Sequence, residues 1–387
     1  MYHVRRLKLG RNEQIDALAQ IAGALYSHTV ASFWRTVRKG VWLRPSSLMR
    51  WHTDPRLHAH TADAVVQQFF GALNSWRKRR KEDPNAHPPR RRPRFGRLQW
   101  KNSAIRVRDG NLALSNGRQT AALVLPWVFE RPAMVEIGWD GIQYELRAVY
   151  AVDATATPLG TGVAGIDLGE VHVAAACDGT NTTIVNGRYL RSKRRYQNKL
   201  KAQLSSQLDR KKRGSRRRER LARSKARQLR KLQHQVNDVL HKQTSHLVST
   251  LHASGVQTVA IGDVRSIRQR TNLGKNANQK LHQWLAGATR WMLTYKSERL
   301  GMNVELVDER YTSQECPACR YRTKPTGRRY RCRSCRATFH RDQVGALNIR
   351  AKYLGAIPVV GVMAPPTGVR FHPHLRRSSR VPAVSAA

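Results

Sequence analysis

Four of the five cysteines lie in "CPACRYRTKPTGRRYRCRSC", at Cys316, Cys319, Cys332 and Cys335, a C-x2-C-x12-C-x2-C spacing. Each C-x2-C knuckle offers two thiolates, and an intervening hairpin can bring the pairs to one tetrahedral ion, so structural Zn²⁺ is expected. Four thiolates leave no open coordination position, and the metal is expected to hold the fold rather than to catalyse. An odd cysteine count with four clustered also argues against a secreted disulfide framework. Cys177, alone in the apolar run "VHVAAACDG", reads as a buried core thiol.

The carboxylates are the second source of chemistry. The chain has 25 Asp and Glu against 71 Lys and Arg. Asp167 sits in "GIDLG", in an otherwise buried strand where a charge is costly unless paired or metal-bound. Asp342 follows the cysteine cluster at the start of the helical stretch "QVGALNI", where it could also serve as an N-cap. Asp263 ends the strand "VAIGD" just after Gly262, and Asp308 and Glu309 end the strand "NVELVDE". Acids gathered at strand and helix ends of one α/β unit suit two divalent cations, which would support phosphodiester hydrolysis.

A formal charge of +46 opposes compaction unless a polyanion neutralises it, and nucleic acid is the expected partner. A merely soluble surface needs far less charge. There is no long apolar span and no signal peptide pattern, so a membrane role is not expected and an intracellular protein is. Between Arg191 and Lys231 there are nineteen Lys or Arg against two acids, Asp209 and Glu219. Leucines at 200, 204, 208, 221, 229 and 232 give that stretch partial helical periodicity. It is expected to form two helices broken near "KKRGSRRR", with basic faces toward a duplex or RNA backbone. The residues expected to contact it are Arg191, Lys193, Arg194, Arg195, Lys211, Lys212, Arg213, Arg216, Arg217 and Arg218.

Around these groups the rest of the chain falls into recognisable elements. "MYHVRRLKL" alternates like a strand, and Ile15, Leu18, Ile21, Leu25 and Phe33 recur at helical spacing from Arg11 to about Lys39. A second helix is expected near Thr61 to Lys81, with Val65, Phe69, Leu73 and Trp76 on its core face. "RKRRKEDPNAHPPRRRPRFGR" reads as a linker or phosphate-tracking loop. From Trp100 to about Asp153 short alternating runs, one with a "DG" turn, read as antiparallel strands of a small barrel or sheet. An α/β pattern starts at Val163 and includes an amphipathic helix over about Gln279–Leu300; a loose tail is expected from about Gly355.

"GIDLG", "RYTSQECPAC", the second C-x2-C and "HRDQVGALNI" together resemble the TnpB family, also called OrfB transposases: transposon-encoded RNA-guided endonucleases related to compact type V CRISPR nucleases. The resemblance is specific across about Val163–Tyr353 and softer before it. It implies a multidomain α+β protein with an RNase H-like (RuvC) α/β nuclease domain interrupted by a four-cysteine zinc ribbon. An amino-terminal wedge β-barrel and a helical recognition region would precede it. The implied division is 1–10 as the first barrel strand, 11–90 recognition, 91–160 wedge, 161–315 nuclease with basic helices, 316–335 ribbon, 336–355 nuclease again and 356–387 tail. The implied activity is Mg²⁺-dependent cleavage of double-stranded DNA beside a short protein-read motif, using a guide RNA from the transposon end. A prokaryotic cytoplasmic, nucleoid-associated location follows.

Carried onto this chain, Asp167 matches the first catalytic carboxylate and Asp342 the last. Two departures stand out. The last helix, usually D-x-N-A-A, here reads Asp342-Gln343-Val344-Gly345-Ala346, and the position of the middle catalytic Glu holds Gly262. In an RNase H-like sheet the "TVAIGD" strand would lie between the Asp167 and "NVELVDE" strands. Glu309 would then have to cross roughly 10 Å, two strand spacings, over a position with no side chain. Gly262 supplies that gap, while alternation turns Asp263 away. Glu309 is therefore expected as the middle metal ligand, with Asp263 the second choice, otherwise a turn Asp paired with Arg265 or Arg268. The missing Glu also raises a nuclease-inactive, RNA-guided DNA-binding regulator as an alternative. A direct DNA transposase ranks lower, because "HAH" at 58–60 reads as a polar loop with no associated catalytic Tyr.

Overall fold

A computed structural model describes residues 2–91, 95–118, 120–151, 156–265, 267 and 272–355, and the backbone of 369–371. The chain divides into two compact units, Met1–Asp153 and Ala154–Ala387.

The first unit opens with strand β1 (Tyr2–Leu9) and helix α1 (Glu13–Val37). Asn12 caps α1 by accepting from the Ile15 N–H at 3.0 Å, and Ile15, Leu18, Ala22, Leu25, Val30 and Phe33 form its buried stripe. Helix α2 (Pro45–Trp51) is short and has no periodic signal in the sequence. Helix α3 (Ala59–Glu82) buries Val65, Phe69, Leu73 and Trp76, as their spacing predicts, and its last turns take up the Arg77–Glu82 part of the expected linker. His58 caps α3 and His60 lies within it, so "HAH" is a helix start rather than a loop.

Strands β2 (Leu98–Lys101), β3 (Ile105–Arg108), β4 (Asn111–Leu114), β5 (Leu123–Pro126), β6 (Met134–Trp139) and β7 (Tyr144–Ala151) follow. They form an antiparallel sheet of order β1-β7-β6-β2 and a second of order β3-β4-β5. Asp109 and Gly110, both at positive φ (50° and 71°), make the tight turn between β3 and β4 that "DG" announces. Trp100, Leu112, Leu114 and Leu146 from the sheets share one core with Phe33 and Phe69 from the helices.

The second unit holds β8 (Gly162–Asp167), β9 (His172–Cys177), β10 (Thr182–Asn186), α4 (Arg188–Asp209), α5 (Arg216–Ala253), β11 (Val256–Gly262), α6 (Lys275–Gln283), α7 (Ala286–Arg299), β12 (Asn303–Val307), β13 (Arg329–Arg331), β14 (Thr338–His340) and α8 (Arg341–Leu354). A three-residue strand, β15 (Val369–Phe371), pairs in parallel with β10; the rest of the expected loose tail lies outside the described residues. The main sheet has the order β12-β11-β8-β9-β10-β15. Strands β12, β11 and β8 run parallel, while β9 is antiparallel to both neighbours.

The basic stretch forms two helices broken at residues 210–215, where Gly214 takes φ +82° and Ser215 caps α5 by accepting from the Arg218 N–H. Only the second half of α5 meets the core, through Val236, Leu240, Leu247 and Leu251. The helix expected over Gln279–Leu300 is two helices, because Trp284 and Leu285 leave helical geometry between α6 and α7.

Candidate functional site

Helix α8 crosses the sheet and brings the acids together. Asp342, Gly345, Ala346 and Ile349 lie at helical spacing on one buried face. At Gly165 on β8 a Cβ would fall 2.5 Å from the Arg350 amide nitrogen, so the glycine before Asp167 lets helix and strand backbones touch. One turn along, a Cβ at Gly345 would lie 2.6 Å from Asp167 Oδ2. Thus Gly345, a departure from the family pattern, makes room for the Asp167 carboxylate.

Strand β11 does lie between β8 and β12. Ile261 aligns with Ile166, and Gly262 with Val307, two residues before Glu309. A Cβ at 262 would sit 2.9 Å from Glu309 Oε2 and 3.4 Å from Glu309 Cβ. The Glu309 side chain therefore passes over the glycine. Asp167 is pushed well above the usual carboxylate range by burial, then by the negative charges of Asp342 and Glu309. Glu309 is raised by burial and by Asp263 and Asp308. A buried carboxylate facing two further negative charges favours a cation or a retained proton.

Asp342 is differently placed. Its burial would raise its pKa, but a hydrogen bond from His172 Nδ1 at 2.6 Å and the charge of Arg328 hold it below the ordinary range. Arg328 Nη1 lies 3.0 and 2.9 Å from the two carboxylate oxygens. The capping role considered for Asp342 belongs to His340, whose Nδ1 accepts from the Asp342 N–H. Neither His172 nor Arg328 was signalled by the sequence: one sits in an apolar strand 170 residues away and the other is one arginine among many.

Asp263 faces its own neighbours. Arg265 Nε approaches its two oxygens at 2.9 and 2.8 Å, and Arg290 lies 3.8 Å away. Hydrogen bonding from Arg265 lowers its pKa despite partial burial. Arg268 lies outside the described residues. Asp308 is exposed and held by Lys352 at 3.1 Å.

The four thiols of Cys316, Cys319, Cys332 and Cys335 converge within 4.8 Å of one another, with Cys316–Cys335 and Cys319–Cys332 sulfur separations of 3.6 and 3.4 Å. Each knuckle has its own small antiparallel closure, Glu315 with Arg322 and β13 with β14. The geometry fits one tetrahedral thiolate-bound ion. His172, His340 and Asp342 also converge within 4.8 Å. Among the described residues Asp167, Glu309 and Asp342 do not form so tight a trio. Cys177 is fully buried, which raises its thiol pKa.

The matches to known proteins bear on this arrangement. The family model described as "Probable transposase" (OrfB_IS605) matches residues 142–268, and "Cas12f1-like, TNB domain" matches residues 287–349. TnpB-like protein MJ0751 of Methanocaldococcus jannaschii is 32% identical over 119 residues, 30% of this chain and 42% of that protein. TnpB-like protein ORF457 of Acidianus two-tailed virus is 29% identical over 206 residues, 52% and 44% of the respective chains. Over these segments the chain is similar to TnpB-like proteins, which supports a TnpB-family reading.

The chain spans less than half the length of those two relatives in the matched segments. Its fold is similar to the protein chain in "Cryo-EM structure of the Cas12f1-sgRNA-target DNA complex", with TM-score 0.54 at 11% identity over 87% of this chain and 81% of that one. The family models cover Asp167, Asp263, Glu309, Asp342 and the four cysteines.

The ten basic residues expected to meet nucleic acid separate into two sets. Arg191 pairs with Glu170 at 2.8 Å; Arg194 donates to Gln197 at 2.7 Å and Gln233 at 3.3 Å, tying α4 to α5. Arg218 donates to the carbonyls of Leu208 and Lys211, closing the C-terminus of α4. Lys193 is half-buried beside the Tyr189 ring, and Lys211 is half-buried. Arg195, Lys212, Arg213, Arg216 and Arg217 are exposed. No helix among the described residues is long and apolar enough to cross a membrane.

Proposed function

We propose that the protein is an RNA-guided DNA endonuclease in which Asp167, Glu309 and Asp342 hold Mg²⁺. The observation that carries this reading is Glu309 lying over Gly262, beside an Asp167 whose charge is opposed by both Glu309 and Asp342. The sheet order, with β9 antiparallel between β8 and β10, supports an RNase H-like domain. The two antiparallel sheets of the first unit support a wedge barrel, and α1 to α3 a recognition region.

Oxygen-only donors with mutual repulsion fit hard divalent cations. Mg²⁺ bound there would activate water and take up charge on the leaving oxygen. The chain itself orients those donors: Gly345 and Gly262 clear the paths of Asp167 and Glu309, and His172 fixes Asp342. Zn²⁺ on the four cysteines would keep Arg328 beside Asp342. Exposed Arg195, Lys212, Arg213, Arg216 and Arg217 would track phosphates, with sequence read by pairing to the guide RNA.

The test is cleavage by the RNA-loaded protein with Mg²⁺ on matched double-stranded DNA beside a randomised flank. Asp167→Ala, Glu309→Ala and Asp342→Ala should each abolish it, and Asp263→Ala should leave it within about threefold. Cleavage that survives Glu309→Ala but is lost in Asp263→Ala would refute the assignment. Guided binding without cleavage in the unaltered protein would instead favour a DNA-binding regulator.

A further inference from the structure

Asp342 belongs to two donor sets of different chemistry. With Asp167 and Glu309 it offers oxygen alone. With His172 and His340 it offers oxygen and two imidazole nitrogens, and the ligand atoms of this second set all lie within 4.8 Å of one another. Hard cations such as Mg²⁺ take oxygen, whereas imidazole suits Zn²⁺, Ni²⁺ and Cu²⁺. The one carboxylate can therefore serve either class of ion.

Three elements deliver the nitrogen-containing set. His172 opens β9, His340 ends β14, and Asp342 lies in the first turn of α8. His172 is 4% exposed and Asp342 8%, so both polar groups are withdrawn from water and need partners. The two imidazole planes meet at 49° with centroids 5.4 Å apart, so the rings converge without stacking. Ligand atoms on one tetrahedral ion, each about 2.0–2.1 Å from it, stand roughly 3.3 Å apart. His172 Nδ1 and Asp342 Oδ2 are already 2.6 Å apart. Seating an ion between them needs a separation of less than about 1 Å more.

An ion can reach the cluster from the His340 side, where a cavity of about 410 Å³ is lined by Arg328, His340 and Gln343 among others. Arg328 is the obstacle. Its guanidinium lies 3.0 and 2.9 Å from the two oxygens of Asp342 and repels a cation there. Its side chain is 44% exposed, however, so it can turn to water when an ion arrives.

We infer that His172, His340 and Asp342 form an inhibitory site for a divalent transition-metal ion of the zinc class. The ion replaces the His172–Asp342 hydrogen bond, the proton on His172 Nδ1 passing to the other ring nitrogen, and Arg328 swings outward. Asp342 is then withdrawn from the oxygen-only set, and Mg²⁺-dependent cleavage stops. That consequence rests on the nuclease reading; binding itself does not.

The binding test uses full-length protein with one zinc equivalent on the ribbon, without Mg²⁺ or guide RNA. It is dialysed against buffered Zn²⁺, the metal is counted per chain, and X-ray absorption at the zinc edge reports the ligands. A second equivalent is expected, adding a nitrogen and oxygen shell to the sulfur shell of the ribbon. His340→Asn keeps a favourable helix cap while removing the imidazole. It should weaken the second equivalent by more than the roughly 10- to 100-fold that an outer-sphere partner is worth. Arg328→Gln removes a like charge and should tighten it at least about tenfold. In guide-RNA-loaded protein with Mg²⁺, the second equivalent should lower wild-type cleavage at least about tenfold and leave that of His340→Asn unaffected. One zinc per chain in the wild type, or a second held as tightly by His340→Asn, would overturn the site. Cleavage equally sensitive to zinc in both proteins would overturn the inhibitory role. An RNA-loaded wild type that never cleaves would remove the nuclease reading and that role with it, while the zinc count would still decide the site.

Discussion

Glu309 and Gly262 sit on different strands yet occupy one space: a Cβ at 262 would lie 2.9 Å from Glu309 Oε2. The glycine's missing side chain is what the glutamate uses. Gly262→Ala should therefore cut Mg²⁺-dependent cleavage at least tenfold. The added methyl also meets Ile349 Cδ1 at 2.9 Å, and since the two nearest atoms are ends of flexible side chains the stability loss should stay at about 1 kcal/mol. Thermal melting beside a cleavage assay checks both numbers. The double change Gly262→Glu with Glu309→Ala should recover cleavage above Glu309→Ala alone, because it returns a carboxylate to the strand between.

His172 gives a second prediction. A side chain that fixes a metal ligand through its outer hydrogen bond is worth roughly 10- to 100-fold in metal affinity or activity. The contact to Asp342 is made by Nδ1, which an asparagine amide can approximate and a glutamine amide cannot. His172→Ala and His172→Gln should weaken Mn²⁺ binding, read by titration calorimetry, by about tenfold or more. His172→Asn should retain most of it. Equal Mn²⁺ affinity in all three, with only the melting temperature lowered, would make His172 a packing residue of β9.

The same region shows what a sequence can and cannot disclose. The spacing of the cysteines, the alternation in "VAIGD" and the absence of a side chain at Gly262 are local, so the convergence of the four thiols and the passage of Glu309 over Gly262 were legible in the sequence. The break between α4 and α5 was legible because glycine and serine are adjacent there. The pairing of His172 with Asp342 was not, since it depends on β9 lying antiparallel beside β8 under α8. The purpose of Gly345 was equally hidden until the Asp167 carboxylate was seen against it. Nor could composition separate Arg194 and Arg218, which tie and close helices, from exposed neighbours of the same charge.

Chelation should reach the carboxylates through the ribbon. Without a bound ion the four thiols lose their common ligand, and the segment bearing Arg328 loses its anchor. Treating the protein with a zinc-selective chelator, or introducing Cys332→Ser, should lower the melting temperature by several degrees. It should also abolish cleavage even with Mg²⁺ in excess. Restored melting and cleavage on adding Zn²⁺ back to the chelated wild type would complete the test. Unchanged melting after verified metal removal would dismiss a structural ion.

Lys296 sets a pH dependence apart from the carboxylates. Its ammonium on α7 donates to the His241 carbonyl at 2.6 Å and to the Thr244 and Ser245 hydroxyls at 2.7 and 2.9 Å. Burial nevertheless brings its pKa down to about 8 from 10.5. Between those values the unfolded chain binds more protons than the folded one, so stability contributed by this group rises with pH and is smallest below about 8. Lys296→Met removes the titration. The melting temperature of the wild type relative to Lys296→Met should climb from about pH 7.5 to about pH 10, when both are measured at fixed ionic strength. A difference that stays flat or falls over that range would mean the ammonium is not desolvated against α5.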